Sequence, residues 1–228
     1  MARSRLESRP HRRDSEKEWL LAVRQKSAKR TASREQRRRQ LVDATIRCIA
    51  RRGITGTTMG EVARAAGLSQ GIVNLHFKSK DNLLNETLRH LSDEYKTLFE
   101  KALEQSGAAA SDKLLGLMQL DLKPSVCDRQ KLAVWFAFWG EAKSVPTYQK
   151  ICDAHDREYD AVMLDLCERI IAEGKYKDIN AQQAVDALSS MTDGLWLAAL
   201  IRPKSWDRHE AFDAVYSYLK AVFPQHFS

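Results

Sequence analysis

Apolar residues recur at intervals of three and four over most of this chain, which is the spacing of amphipathic helices. The pattern predicts helices at the following ranges: Ser33–Arg52, Ser79–Gln105, Asp112–Leu122, Val126–Lys143, Thr147–Glu173, Ala181–Ile201 and Trp206–Phe223. No segment alternates apolar and polar residues convincingly enough to predict a strand. The chain is therefore predicted to be all-α.

Between the first two of these ranges, residues Thr58–Phe77 predict two short helices joined by a tight turn. Thr58 and Glu61 have the spacing of a capping box, and Gly67 supplies the positive φ that ends the first helix. Ser69 is placed to cap the second helix. This arrangement is typical of a helix-turn-helix, the unit that places a helix in a DNA groove.

Charge is divided unevenly along the chain. Residues 1–80 contain 20 Lys and Arg against 7 Asp and Glu, a balance of +13. Because the whole chain carries +7, residues 81–228 carry −6. A basic N-terminal third beside an acidic remainder indicates a separate nucleic-acid-binding module.

These patterns predict three parts. Residues 1–33 form a basic arm that is expected to be flexible when free, residues 34–80 a three-helix DNA-binding domain with its motif at 58–77, and residues 81–228 a larger helical domain. Arms of this kind can lie along phosphates or enter a minor groove.

Several classes of protein are disfavoured. No apolar run approaches the roughly 18 residues of a membrane helix, and the cysteines show no metal-binding spacing, so no membrane association, metal or cofactor is expected. Reduced core cysteines favour a cytoplasmic protein. His155, Asp156 and Glu158 come closest to an acid–base set, but they are predicted to lie on a solvated helix face. Because a nucleophile elbow and a glycine-rich phosphate loop are also missing, no enzyme is predicted.

The motif carries a family resemblance. The pattern T-x-x-x-[IV]-A-x-x-A-G-[VL]-S-x-G-x-[IVL]-x-x-x-F-x-x-K-x-x-L is met from Thr58 to Leu83, and it resembles the tetracycline-repressor (TetR) family of transcriptional regulators. Residues 37–45, 133–139 and 193–197 resemble the BetI subgroup, the choline-responsive repressors of glycine-betaine synthesis. This second resemblance covers most of residues 34–223. It implies a repressor that binds an operator and is released by a small molecule.

The resemblance and the chemistry of the side chains together predict the residues that bind DNA. Gln70 and Asn74 are the best candidates for reading bases, because an amide can pair with both N6 and N7 of adenine. Gly71 would allow close approach of the backbone to DNA. The other predicted DNA contacts are Arg37, Arg38, Arg39, Thr58, Ser69, His76 and Lys80. Many family members have a tyrosine where Asn74 and Leu75 stand here, so the operator sequence does not carry over.

For Lys80 and the arginines, cations in the first turn of a helix oppose its dipole, so an external phosphate is the expected partner. An ordinary solvated lysine is the alternative for Lys80, and a surface histidine is the alternative for His76.

A choline-type effector would be held by aromatic faces and a carboxylate. The candidate ligand-binding residues are Trp135, Phe138, Trp139, Glu141, Asp193 and Trp196. The alternative is that these aromatic residues are core residues.

The resemblance also implies a homodimer on a palindromic operator. The apolar stripes on 147–173 and 181–201 are candidates for the dimer surface, or they simply close the core of one chain. Two other functions stay open: a multidrug-type sensor with the same fold, and a non-specific nucleic-acid-binding protein.

Overall fold

The computed structural model describes residues 33–228, except for the side chain of His155, and within that range the structure is helical with no strand. The predicted basic arm therefore lies outside the described residues but for Ser33. Helix α1 covers residues 33–52. The other helices are α2 (Met59–Ala66), α3 (Gln70–Phe77), α4 (Lys80–Gln105), α5 (Ala110–Asp121), α6 (Arg129–Ala142), α7 (Pro146–Gly174), α8 (Ala181–Ile201) and α9 (Arg208–Val222). The all-α prediction is confirmed.

Two compact units divide the chain at Leu41 and Val42, within α1. The predicted domain boundaries at residues 33 and 80 stay a prediction. The α1 helix ends at Gly53, which has a φ of 70°.

The helix-turn-helix has the predicted helix ends. The Thr58 hydroxyl accepts a hydrogen bond from the Glu61 N–H at 3.2 Å, which starts α2. Gly67, at a φ of 65°, ends α2, and the N–H groups of Gly67 and Leu68 donate to the carbonyls of Arg64 and Ala63 at 3.1 and 2.9 Å. This is a Schellman motif, which satisfies carbonyls that the helix end would leave unpaired. The turn is therefore fixed by local hydrogen bonds.

Two expected caps differ from the prediction. The Glu61 carboxylate pairs with the Arg52 guanidinium instead of reaching back to Thr58, because Arg52 stands at the end of the preceding helix. Ser69 occupies the N-cap position of α3, but its hydroxyl makes no capping hydrogen bond. The start of α3 is thus held by packing more than by its cap.

Helices α4 to α9 bury one large core. Its fully buried members include Leu114 and Leu117 of α5, Met163 and Ile170 of α7, and Leu188 of α8. A second cluster joins Ile49, the first half of α4, α6 and the start of α7. Cys48, Cys127, Cys152 and Cys167 are free and buried, as predicted. Burial raises the pKa of the Cys167 thiol to about 12, which keeps it in the unreactive thiol form.

One helix departs from the expectation about apolar runs. By length and composition α8 could cross a membrane, with an 18-residue window of mean hydropathy 1.2. A core helix of an all-helical domain has the same composition, and α8 packs against α6, α7 and α9. A single helix of this kind is weak evidence for a membrane span.

Candidate DNA-binding surface and ligand cavity

Helix α3 presents the predicted base-reading residues to solvent. Val73 and Phe77 are buried, which fixes one side of α3 against the protein. Gln70, Gly71 and Asn74 are exposed. At 100° per residue they span about 100° of the helix circumference, and Gln70 lies at the edge of this arc, beside the buried side. Two amides and a glycine therefore share one free helix face, which is the arrangement needed to contact base edges in a major groove.

The remaining predicted contacts on the motif occupy its edges. Thr58 and Ser69 are exposed at the starts of α2 and α3. His76 is half-buried, with its ring 6.4 Å from the ring of Phe77. These residues flank the exposed face of α3 but do not form it.

Lys80 has an internal role that the sequence did not suggest. Its Nζ donates to the carbonyl oxygen of Ile54 at 2.8 Å and approaches that of Thr55 at 3.5 Å. These carbonyls belong to the loop after α1, so the ammonium group links the start of α4 to that loop. The two carbonyl oxygens also give the Lys80 ammonium group an electronegative partner within the protein, where only a DNA phosphate was expected.

The three arginines predicted to contact DNA lie on α1 beyond its first described turn, residues 33–36, and not within that turn as expected. Arg37 and Arg39 are exposed, and Arg38 is half-buried. Arg37 Nη1 donates to Gln40 Oε1 at 2.7 Å, one turn along the same helix. Surface guanidinium groups of this kind suit phosphate contacts, which position a protein without reading sequence.

The second candidate site is a cavity of about 390 Å³ in the helical domain, within the size range of small-molecule sites. Its walls come from α4, α5, α6, α7 and α8. The residues that line it are Tyr95, Asp121, Trp139, Ala142, Cys152, Asp156, Tyr159, Asp160, Ser189, Thr192, Asp193 and Trp196. None of these described lining residues is basic.

Aromatic rings form one part of the cavity wall. The rings of Trp139 and Trp196 stack at 15° with centroids 6.4 Å apart. Tyr95 meets Tyr159 at 6.2 Å and the edge of Trp196 at 6.4 Å. Ring faces carry partial negative charge, so this wall favours a cation.

Asp121, at the end of α5, forms the centre of a hydrogen-bonded network in the other part of the cavity wall. Its carboxylate accepts hydrogen bonds from the hydroxyls of Tyr95 at 2.6 Å and Tyr159 at 3.2 Å. The Trp196 indole N–H donates to the Asp121 backbone carbonyl at 2.8 Å. One buried residue thereby ties α4, α7 and α8 together around the cavity.

Burial also changes how the acids titrate. Loss of solvent raises the pKa of Asp121 to about 7, although the hydrogen bonds from Tyr95 and Tyr159 oppose the rise. Partial removal from water raises the pKa of Asp193 to about 6, and the charges of Asp156 and Asp160 add to this rise. The two carboxyls therefore change charge close to neutral pH.

Half of the predicted ligand-binding set lines this cavity. Trp139, Asp193 and Trp196 line the cavity. Trp135 and Phe138 do not, because they point from α6 into the second core cluster with Leu88 and Leu91 of α4. Glu141 is half-buried on α6 and also lies outside the cavity lining. Trp135 and Phe138 are therefore packed as core residues, which is the alternative given for these aromatic side chains.

The predicted ligand-binding set lacks three residues of the cavity lining: Tyr95, Asp121 and Tyr159. The two tyrosines fit apolar helix stripes and were indistinguishable from core residues. Asp121 did leave a signal, since it continues the buried spacing of Leu114, Leu117 and Met118 on α5. A carboxylate at a core position needs a buried partner or a ligand.

Two family profiles match the chain. Residues 41–87 match the tetR family of bacterial regulatory proteins, and residues 110–224 match the C-terminal domain of BetI-type transcriptional repressors. The HTH-type transcriptional regulator BetI of Burkholderia thailandensis is 30% identical over 190 residues, covering 82% of this chain and 93% of the relative. The BetI regulator of Paraburkholderia xenovorans is 29% identical over 193 residues, covering 83% and 94%.

Solved structures show the same fold. A chain assigned as a transcriptional regulator from Pseudomonas aeruginosa PAO1 superposes with a TM-score of 0.75 at 26% identity, over 85% of this chain and 95% of that one. A regulator from Saccharomonospora viridis, solved in complex with choline, gives a TM-score of 0.72 at 23% identity, over 82% and 96%. These relatives are regulators, which confirms that the chain is not an enzyme. The chain belongs to the tetR family of bacterial regulatory proteins and carries the C-terminal domain of the BetI-type transcriptional repressors.

Proposed function

We propose that this regulator is a cytoplasmic homodimer that represses transcription from a palindromic operator and is released by choline or a related quaternary ammonium compound. The observation that carries the ligand class is the cavity, whose described lining combines stacked aromatic rings with four aspartates and includes no basic side chain. Such a lining attracts a cation with no hydrogen-bond donor of its own on nitrogen.

Two comparisons help to choose between ligand classes. The Saccharomonospora viridis regulator was solved with choline, and FadR from Bacillus subtilis, which gives a TM-score of 0.66 at 17% identity, was solved with stearoyl-CoA. Coenzyme A carries phosphates, which the acids Asp121 and Asp193 would repel. The charge of the cavity therefore favours a choline-like ligand over an acyl-CoA, and over the broad apolar ligands of a multidrug sensor.

On the DNA side, α3 would enter the major groove with Gln70 and Asn74 against base edges. Arg37, Arg38 and Arg39 would contact phosphates. Lys80 has one remaining ammonium N–H for a phosphate after its two internal carbonyls, so we expect its main effect through the loop that it holds.

We propose that α8 rather than α7 supplies the dimer surface. Met163 and Ile170 of the α7 stripe are fully buried within one chain, so this stripe closes the core. On α8, Leu197 and Ile201 are 42% and 62% exposed. Gly194 lies one turn earlier, where an added Cβ would meet nothing within 4 Å. A small residue followed by two apolar residues on one exposed side suits pairing with the same helix of a second copy.

The ligand and DNA sites have a direct mechanical connection in α4. Its first residue, Lys80, holds the loop before the helix-turn-helix, and Tyr95 of the same helix bonds Asp121 in the cavity. A cation bound to the Asp121 carboxylate would change the hydrogen bond that Asp121 accepts from Tyr95, and α4 would shift. Ligand binding would then lower DNA affinity, and by linkage DNA would lower ligand affinity by the same factor.

The test is a titration of labelled DNA from upstream of the chain's own gene, followed by fluorescence anisotropy at fixed salt. Choline should displace the protein saturably from this DNA but not from random DNA. The uncharged isostere 3,3-dimethylbutanol should act only at much higher concentration. Equal responses to both compounds would contradict the cation site, and equal binding to random DNA would favour a non-specific nucleic-acid-binding protein.

Two tryptophans on α6 provide a matched pair of variants. Trp139→Phe changes the cavity wall and should weaken the choline response several-fold. Trp135→Phe makes the same chemical change four residues away, in the core cluster, and should leave the choline midpoint unchanged. If both variants shift the midpoint alike, the cavity is not the choline site.

A further inference from the structure

Leu75 on α3 is the most exposed large apolar side chain among residues 33–228. Its exposed fraction is 71%, compared with 62% for Ile201 and 42% for Leu197. A single exposed leucine is common on protein surfaces. The position of Leu75 on α3, however, indicates a specific contact.

Leu75 lies on the exposed side of α3, next to Gly71. At 100° per residue, Leu75 lies about 40° from Gly71 and about 100° from Asn74, and it lies on the side of the helix away from the buried residues Val73 and Phe77. Leu75 follows Gly71 by four residues, so the two are neighbours on this face. Whatever approaches Gly71 also meets Leu75.

Gly71 indicates that something outside the protein approaches closely. An added Cβ would meet only the Ser69 Oγ, at 3.8 Å, which is ordinary van der Waals contact. Gly71 also does not need glycine for its backbone conformation. Among the described glycines, only Gly53 and Gly67 have a positive φ. Alanine would fit here and is a better helix former. The protein alone therefore gives no reason for glycine, whereas a DNA groove against the backbone does.

We propose that Leu75 is a specificity-determining residue that contacts the C5-methyl group of a thymine in each operator half-site. This inference rests on the proposed placement of α3 in the major groove. Among the base edges in that groove, the thymine methyl is the apolar group that a leucine can contact. An amide such as Asn74 reads an adenine by hydrogen bonds, so leucine adds information that the amides do not supply.

The experiment uses the whole chain and begins with selection of bound duplexes from a random pool. Each thymine of the selected half-site is then replaced by uracil, which removes the methyl group and leaves the pairing edge unchanged. At one position, uracil should weaken binding of the unaltered protein about fourfold per half-site, the value expected for one buried methyl group. Leu75→Ala should bind thymine and uracil operators equally at that position.

Two further variants test the assignment. Gln70→Ala changes another exposed residue of α3 and should retain the full uracil effect, although it binds more weakly overall. Leu75→Met, which keeps an apolar side chain of similar size, should retain most of it. Leu75 is exposed, so Leu75→Ala should keep the unaltered thermal unfolding midpoint, which confirms that the fold is intact.

The outcomes separate the inference from the function that supports it. If the unaltered protein selects no sequence, operator binding and the role of Leu75 both fail. If it selects a palindrome, but uracil has no effect or weakens Leu75→Ala as much as the unaltered protein, operator binding stands and the thymine contact is overturned.

Discussion

The two candidate sites of this regulator are opposites in chemistry and in construction. The exposed side of α3 is open and uncharged, carries two amides, a glycine and Leu75, and belongs to one eight-residue helix. The ligand cavity is aromatic and acidic, and residues from five helices line it. The exposed amides of α3 suit the base edges of DNA. The cavity suits a small cation that leaves water to bind.

This difference would let one chain hold DNA and the proposed cation without competition between them. Helix α3 has no carboxylate to attract a cation, and the described cavity lining has no basic side chain to attract a phosphate. The two ligands can therefore influence each other only through the protein between the sites, where α4 is the shared element.

Removing a base reader should have the largest effect and should act on DNA alone. Asn74→Ala is expected to lower DNA affinity by about 1–3 kcal/mol per half-site, because a bidentate amide–adenine contact is lost. Anisotropy with the selected operator measures this loss, and calorimetry should show an unchanged choline affinity. Gln182→Ala, an exposed amide on α8, serves as the control. A matching loss of choline affinity in Asn74→Ala would show that the two regions are not separate in the way described.

Asp121→Asn should have the next largest effect, on the cavity alone. A cation about 6 Å from the carboxylate, at an effective dielectric constant of about 20, gains roughly 3 kcal/mol that the amide cannot supply. Choline affinity should fall by about two orders of magnitude, and ligand-free binding to the operator should remain near that of the unaltered protein. Asp165→Asn, on the exposed side of α7, is the control. If operator binding falls as steeply as choline affinity, Asp121 serves the fold more than the ligand.

The same carboxyl predicts how choline binding depends on pH. The pKa of Asp121 is raised to about 7, so the group is mostly protonated at pH 6 and mostly charged at pH 8. A cation binds the charged form, so choline affinity should rise from pH 6 to pH 8 with release of protons. Calorimetry in buffers of different ionisation enthalpy measures that release. Asp121→Asn should lose most of the dependence and keep a weaker one from Asp193, whose pKa is about 6.

Gly71→Ala should have the smallest of these effects. It should change stability, and the direction of that change is informative. The free energy of unfolding should rise by about 0.5–1 kcal/mol, because alanine favours the helix and meets only Ser69. Operator affinity should nevertheless fall, since the added methyl group keeps α3 from the groove. Urea unfolding and anisotropy measure the two effects. Tighter DNA binding by this variant would contradict close approach at Gly71.

The two sites also differ in how far sequence could predict them. The helix-turn-helix was predictable because its signals are local: Thr58 capping α2 and Gly67 ending it lie within ten residues of one another. The cavity was only partly predictable, because Asp121 meets Tyr95, Tyr159 and Trp196 across 26, 38 and 75 residues of chain. Periodicity alone could not distinguish Trp139, which faces the cavity, from Trp135, which faces the core. That distinction depends on which helices pack beside α6.

Lys80 has a consequence for the geometry of the proposed dimer. Because its ammonium group ties the start of α4 to the carbonyl of Ile54, the loop and the helix should move as one lever. Lys80 and Tyr95 are fifteen residues apart, or about 22 Å along the helix. In the proposed dimer, two such levers would set the separation of the two α3 helices. Half-sites one turn of DNA apart require about 34–36 Å, so a tilt of a few degrees in each lever is enough to spoil the fit to both grooves.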